Sequence, residues 1–213
     1  MDVSPARMPE KMLTDRARLE ELLASCVLGH VAFVHDGRPA VLPTAVARFD
    51  GGIVVHGSTG SRWMGAIASG VAVAVSVTAL DGVVVARSAF ESSMLYRSAV
   101  IFGQFSPLSG SAHREALEAI TERLIPGRTG EVRGSTRKEL AATQVLYLPL
   151  QKWTLRISDG WPEDDADDIA TDTWAGVIRY ADRIGVVEPA PDLLPGRVVP
   201  RAVRAAAMRG HSG

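Results

Sequence analysis

The chain has 213 residues, a formal net charge of −1, 46% hydrophobic and 22% charged residues, the composition of one substantial globular domain with or without appendages. So small a net charge sets up no global field toward nucleic acid or a membrane surface, and the longest apolar run, residues 70–77, is too short to span a bilayer. The single cysteine, Cys26, excludes an internal disulfide framework and a cysteine-rich metal site.

Residues 1–12 are charged and contain proline, and no signal-peptide core follows them, so a cytoplasmic location is expected. Thr14 reads as the N-cap of a helix over residues 15–25, with Ala17, Leu19, Leu22 and Leu23 apolar behind it. Residues 27–34 form a strand, and Cys26, in the apolar run that leads into it, reads as a small buried core residue rather than a nucleophile. Asp36-Gly37 signals a hairpin, and residues 39–48 return. Asp50-Gly51-Gly52 turns the chain again into a third strand, 53–56. A short helix over 61–69 follows. Residues 71–80 are small and β-branched, as suits a strand buried on both faces. Asp81-Gly82 then reads as a turn into 83–89.

Beyond a polar-aromatic break at 92–96, residues 97–106 form another strand. Residues 111–124 carry Leu117, Ile120 and Leu124 at helical spacing and stop at Pro126-Gly127. A polar loop over 128–137 and one helical turn over 138–142 lead to the last strands, 145–150 and 153–158, with Pro149 near an edge. The acidic run 163–168 reads as a solvated loop, and Trp174-Ala175-Gly176-Val177-Ile178 as a short apolar segment. Pro189, Pro191, Pro195 and Pro200 make the remainder linker-like. Its tail, with Arg197, Arg201, Arg204 and Arg209, reads as a frayed terminus or as a basic helix for an anionic partner. Six or more antiparallel strands in residues 12–160 predict a mainly β domain, a barrel with two covering helices. Residues 161–213 form a C-terminal extension.

Local chemistry concentrates where the third strand ends, at His56-Gly57-Ser58-Thr59-Gly60-Ser61-Arg62. Backbone N–H groups at such a turn, hydroxyls and a guanidinium are phosphate-binding chemistry. A plain capped turn shows the same pattern, and both readings stand at this point. The segment matches neither the dinucleotide fingerprint nor the Walker loop. Tyr96-Arg97-Ser98 offers a second guanidinium beside two hydroxyls, or else a strand start with Arg97 in solvent. His30 and His56 lie in strands; His35, His113 and His211 lie in loop, helix and tail. No spacing among them suits a metal, and no GxSxG elbow is present. Two arginine-plus-hydroxyl clusters on a small barrel, without a nucleophile, metal set or acid–base pair, point to a phosphorylated cofactor that carries the chemistry.

Gly29-His30-Val31-Ala32-Phe33, residues 39–44, His56-Gly57-Ser58 and Ser61-Arg62 together resemble the FMN-binding split barrels, more narrowly the pyridoxamine 5′-phosphate oxidase-like flavoproteins of the nitroimidazole-reductase type. Residues 80–90, 94–103 and 174–177 strengthen the likeness, which runs from about residue 12 to about residue 200. The resemblance implies a homodimer with FMN in the groove between subunits. It lays Leu42, Pro43 and Thr44 along the isoalloxazine ring, and His56, Gly57 and Ser58 along the ribityl chain. It puts Ser61 and Arg62 at the phosphate, with Tyr96, Arg97 and Ser98 near the same cofactor and Trp174 reaching it from the partner subunit. Trp63 stands where the oxidase has a second cation, a lysine, and Arg97 is the expected substitute. The oxidase's C-terminal arginine–histidine pattern is missing, so vitamin B6 oxidation is not expected. Some relatives use a deazaflavin and others haem, for which His30 or His56 would be the axial ligand. The function implied is an oxidoreductase in which reduced FMN passes hydride or electrons to a small nitro-compound or quinone. The alternative is a non-catalytic flavin- or haem-binding or sensing protein. Neither nucleic acid nor a membrane is expected as a partner.

Overall fold

In the computed structural model, which describes residues 12–180, 187 and 198–208, the strands divide between two antiparallel sheets. The larger has seven strands. Its order is β1 (Met12–Leu13), β10 (Lys152–Ser158), β7 (Ser93–Gly103), β6 (Val73–Val85), β2 (Leu28–His35) and β3 (Arg38–Ala45), with β11 (Gly176–Arg179) also paired to β6. The smaller has four, in the order β4 (Ala47–Phe49), β5 (Gly52–Ser58), β9 (Thr143–Pro149) and β8 (Ser106–Pro107). The two sheets do not close into one ring. Residues 39–48, one strand by pattern, split at Val46, whose N–H donates to Val27 O at 2.9 Å. Sequence before that point joins the larger sheet, and sequence after it the smaller one.

Period-two alternation explains the layers. Ile53 and Val55 on β5 meet Val31, Val75, Ile101 and Leu155 of the larger sheet in one core, all fully buried. Helix α1 (Arg16–Ser25) closes that core with Leu19, Leu22 and Leu23, spaced i, i+3, i+4 on one face. Its N-cap is Asp15 rather than Thr14: the Asp15 carboxylate accepts from the N–H of Ala17 and of Arg18. Helix α2 (Arg62–Ala68) adds Met64 and Ile67 to the same core. The other face of the smaller sheet exposes Val54 and Val145, and α3 (Gly110–Leu124) covers them with Ala116 and Ile120.

Three further expectations are corrected. Asp81-Gly82 makes no hairpin: β6 runs through it, with a bulge between Leu80 and Gly82. A Cβ at Gly82 would strike the carbonyl oxygen of Ile178, so this glycine admits β11 rather than turning the chain. The acidic run is only partly a solvated loop. The Asp164 side chain is 1% exposed and accepts from the Arg87 N–H at 2.7 Å and from Arg87 Nη1 at 3.0 Å; Ala166–Ile169 beside it form the short helix α5. The tail is not frayed throughout. Arg201–Met208 form a helix whose Ala202 is buried and donates its N–H to Glu131 Oε1 at 2.9 Å. Arg197, Arg209 and His211 lie outside the described residues.

Candidate functional site

β5 stays paired with β9 to its last residue, Ser58 opposite Thr143. The chain then leaves the sheet through a tightly bonded turn. Ser61 N–H donates to Ser58 O at 3.0 Å, and Gly60 N–H to Ser58 Oγ at 3.2 Å. Thr59 is fixed from outside, donating both its N–H (3.0 Å) and its hydroxyl (3.3 Å) to Ala142 O. Ser61 is the N-cap of α2, yet its side chain makes no capping bond. The Ser61 hydroxyl and the first amides of α2 thus have no side-chain partner within the turn. Arg62 is exposed and makes no hydrogen bond or ion pair among the described residues. Trp63, the residue in place of the expected lysine, is half-buried against the inter-sheet core. It is a packing residue for α2. Gly57 lets the helix approach: a Cβ there would lie 2.7 Å from Met64 Cγ.

β3 is the edge of the larger sheet and touches β5. Ala40 and Leu42 pack against the inter-sheet core, while Val41 and Pro43 face outward. Pro43 lacks an N–H, which an edge strand tolerates. The strand that carries Leu42, Pro43 and Thr44 thus touches the strand that ends in Gly57 and Ser58, just before Ser61 and Arg62. His56 precedes Gly57 on β5. Its cross-strand neighbour is Val145, so alternation sends its side chain to the face that α3 covers. There its Nδ1 is buried without a partner, and burial pushes its pKa down, favouring the neutral imidazole. His30 is exposed on the outer face of the larger sheet, between Pro43 and Ser76.

The second predicted cluster is committed elsewhere. Arg97 donates Nε and Nη2 to the two carboxylate oxygens of Asp81, each at 2.8 Å, and Nη1 reaches Ser25 Oγ at 3.5 Å. The Asp81 hydrogen bonds raise its pKa further. A fork so occupied is not a spare partner for a phosphate. Tyr96 and Ser98 alternate to the opposite face from Arg97; the Arg156 guanidinium lies 5.9 Å from the Tyr96 ring centroid. Trp174 is 67% exposed, with its ring over Gly176. Gly176 pairs with Val85 on β6, whereas Gly29, the neighbour of Thr44, pairs with Val77. Eight residues of strand are about 26 Å, so one protomer does not bring Trp174 to Thr44.

Sequence reasoning did not single out Asp81 as the partner of Arg97, Asp164 as that of Arg87, or α4 (Arg137–Ala142) as the neighbour of the turn. None carries a local signal, because each meets its partner through strand pairing. A cavity of about 310 Å³ lies between α1 and the β4–β5 turn, lined by Arg16, Glu20 and Arg48. Those charges already pair: Glu20 accepts from Arg16 at 2.9 Å and from Arg48 at 2.8 Å. Among the described residues no group of three or more His, Cys, Asp or Glu could hold a metal ion, and no helix is long and apolar enough to cross a membrane.

Comparison with known proteins gives this geometry a lineage. None of the curated proteins matches the chain. Among solved structures, the FAD and haem binding protein from Mycobacterium smegmatis is 50% identical, with a TM-score of 0.90, over 93% of this chain and 98% of that one. The flavocytochrome Anf3 from Azotobacter vinelandii is 30% identical, with a TM-score of 0.88, over 96% of each chain. A putative 5-nitroimidazole antibiotic resistance protein from Bacteroides thetaiotaomicron, 17% identical over 70% of this chain and 90% of that one, shares the fold at a TM-score of 0.57. The pattern of the pyridoxamine 5′-phosphate oxidase family matches residues 15–157. With two thirds of its length under that pattern and a split pair of antiparallel sheets, the chain belongs to the pyridoxamine 5′-phosphate oxidase family.

Proposed function

We propose that this protein is a flavin- and haem-binding redox protein that works as a homodimer. The observation that carries the reading is 50% identity, across 93% of the chain, to a protein that binds FAD and haem. The site fits a flavin. Arg62 is exposed and unpaired, and the Ser61 hydroxyl is uncapped, beside an edge strand that carries Leu42, Pro43 and Thr44. Arg62 and Ser61 would hold phosphate oxygens; β3 would support the ring system. The sequence resemblance implies FMN, and the cofactor of the 50% identical protein moves the proposal to FAD. His56 fits a haem ligand. Burial keeps it neutral, the form that ligates iron, and its Nδ1 has no partner in the fold. The second copy would cover the outer face of the larger sheet, where Val41 on edge strand β3 is 62% exposed.

When bound, the flavin supplies hydride or single-electron transfer to a small acceptor of nitro or quinone type, and the haem supplies single-electron transfer. The protein's part is to anchor the phosphate end with Arg62, to hold the ring against β3, and to keep the His56 imidazole unprotonated. Reconstitution tests the proposal. Protein incubated with FAD and haem and then freed of excess ligand should show flavin absorption and a Soret band. Protein that stays colourless refutes the reading. Arg62→Ala should weaken flavin binding by about 1.5–3 kcal/mol, the scale of a lost charge-assisted bond, or roughly ten- to a hundredfold in Kd.

A further inference from the structure

A flavin mononucleotide presents one phosphate; a dinucleotide presents two joined ones and needs cationic cover over a longer stretch. The turn supplies one free cation, Arg62. The helix bonded to that turn carries more positive charge. Both Thr59 hydrogen bonds to Ala142 O tie the last residue of α4 to the turn, and Thr143, the next residue, pairs with Ser58. Lys138 stands one helical turn before Ala142, roughly 6 Å along the axis, and Arg137 one residue further. Both are exposed, and neither makes a hydrogen bond or an ion pair among the described residues. The nearby acid does not cancel them. Glu139 closes a capping box with Thr136 and takes both arms of the Arg133 fork, at 2.9 and 2.7 Å. That box also fixes the start of a six-residue helix that would otherwise fray. Two unpaired cations are therefore held on a short helix whose other end, Ala142, is bonded to the turn that leads into Arg62.

We infer that Arg137 and Lys138 bind the second phosphate of the flavin and so select the dinucleotide over the mononucleotide. The inference rests on the flavin reading above. It assigns the choice of flavin to α4 and general phosphate anchoring to Arg62.

Flavin titrations test it. FAD and FMN dissociation constants are measured on the full chain for wild type, for Arg137→Ala/Lys138→Ala and for Arg62→Ala. All the substitutions are at exposed positions, and thermal unfolding checks that the variants fold. Wild type should bind FAD at least tenfold tighter than FMN. The double variant should bring that ratio to about one by weakening FAD alone, with FMN binding unchanged within twofold. Arg62→Ala should weaken both flavins and preserve the ratio. Lys138→Glu, which keeps the helix and reverses one charge, should weaken FAD more than Lys138→Ala does. Equal wild-type affinities, or a double variant that keeps the ratio, overturn the inference while leaving the flavin reading in place. Failure of both flavins to bind overturns both. A nicotinamide dinucleotide also carries a diphosphate, so NADH is titrated into FAD-loaded protein. A double variant that loses NADH affinity but keeps the FAD preference would assign the cations to the electron donor and overturn the inference.

Discussion

Gly57 makes the junction between β5 and α2 directly testable. Met64 is fully buried beneath it, and an added Cβ would lie 2.7 Å from Met64 Cγ, 3.0 Å from Sδ and 3.5 Å from Cε. Carbon atoms in good contact sit about 3.5–4.0 Å apart, so Gly57→Ala forces the methionine to move. Overpacking a core costs about 1–3 kcal/mol. Methionine has three rotatable bonds and adapts well, and replacing glycine offsets about 0.5–1 kcal/mol through the unfolded chain. The net expectation is a loss of about 1–2 kcal/mol, or a Tm lower by about 2–8 °C in a chain of this size. Met64→Ala alone should cost about 2–5 kcal/mol, because it opens a cavity. Combined with Gly57→Ala, the new methyl enters vacated space, so the double variant should be more stable than the sum of the singles by about 1–2 kcal/mol. Urea unfolding of the four proteins gives this coupling directly. Additivity within about 0.5 kcal/mol would show that Gly57 and Met64 do not meet and would refute the packing that places the turn.

Arg97→Ala should destabilise the fold by about 1–3 kcal/mol, a value reduced from that of a fully buried pair because both partners are 29% exposed. It should leave the flavin Kd unchanged within twofold, and a tenfold loss of flavin affinity at unchanged stability would return Arg97 to the phosphate. His56 gives a pH dependence. Burial lowers its pKa in the folded protein, so the unfolded chain takes up the proton first as pH falls. Its contribution to stability is complete above the ordinary histidine value of about 6.5 and declines below it. Denaturation midpoints measured from pH 8 to pH 5 should therefore fall more for wild type than for His56→Gln; parallel curves would contradict this. Glu139, held down to about 2 by the Arg133 fork and Thr136, should titrate by NMR well below other glutamates. Arg133→Ala should return it toward the usual carboxylate range. Asp164→Ala should detach the segment that Arg87 holds, seen as faster hydrogen exchange at the Arg87 N–H, which donates to Asp164 Oδ1 at 2.7 Å; unchanged exchange there would count against the clamp.

Three of the four Asp-Gly pairs of this chain show what local sequence can and cannot encode. Asp36-Gly37 and Asp50-Gly51 both adopt positive φ at each residue, 49° and 72° in the first and 43° and 71° in the second, and both turn the chain as the dipeptide favours. Asp81-Gly82 has the same letters and the opposite outcome, because its partners decide it. The Asp81 carboxylate is taken by Arg97, 16 residues on, and the space at Gly82 by β11, which arrives from the C-terminal extension. The site divides along the same line. Arg62 and Ser61 are legible in sequence, since a strand, a glycine-rich turn and a helix start are all local. The loss of Arg97 to Asp81 is not, because it depends on the register of β6 against β7. Nor is the contact of α4 with the turn, because its Ala142 reaches Thr59, 83 residues away, through the pairing of β5 with β9. A cation is therefore assigned to a phosphate by asking which cations strand pairing leaves without a carboxylate. That criterion removes Arg97 and Arg133, and it leaves Arg62, Arg137 and Lys138 among the cations without a carboxylate partner.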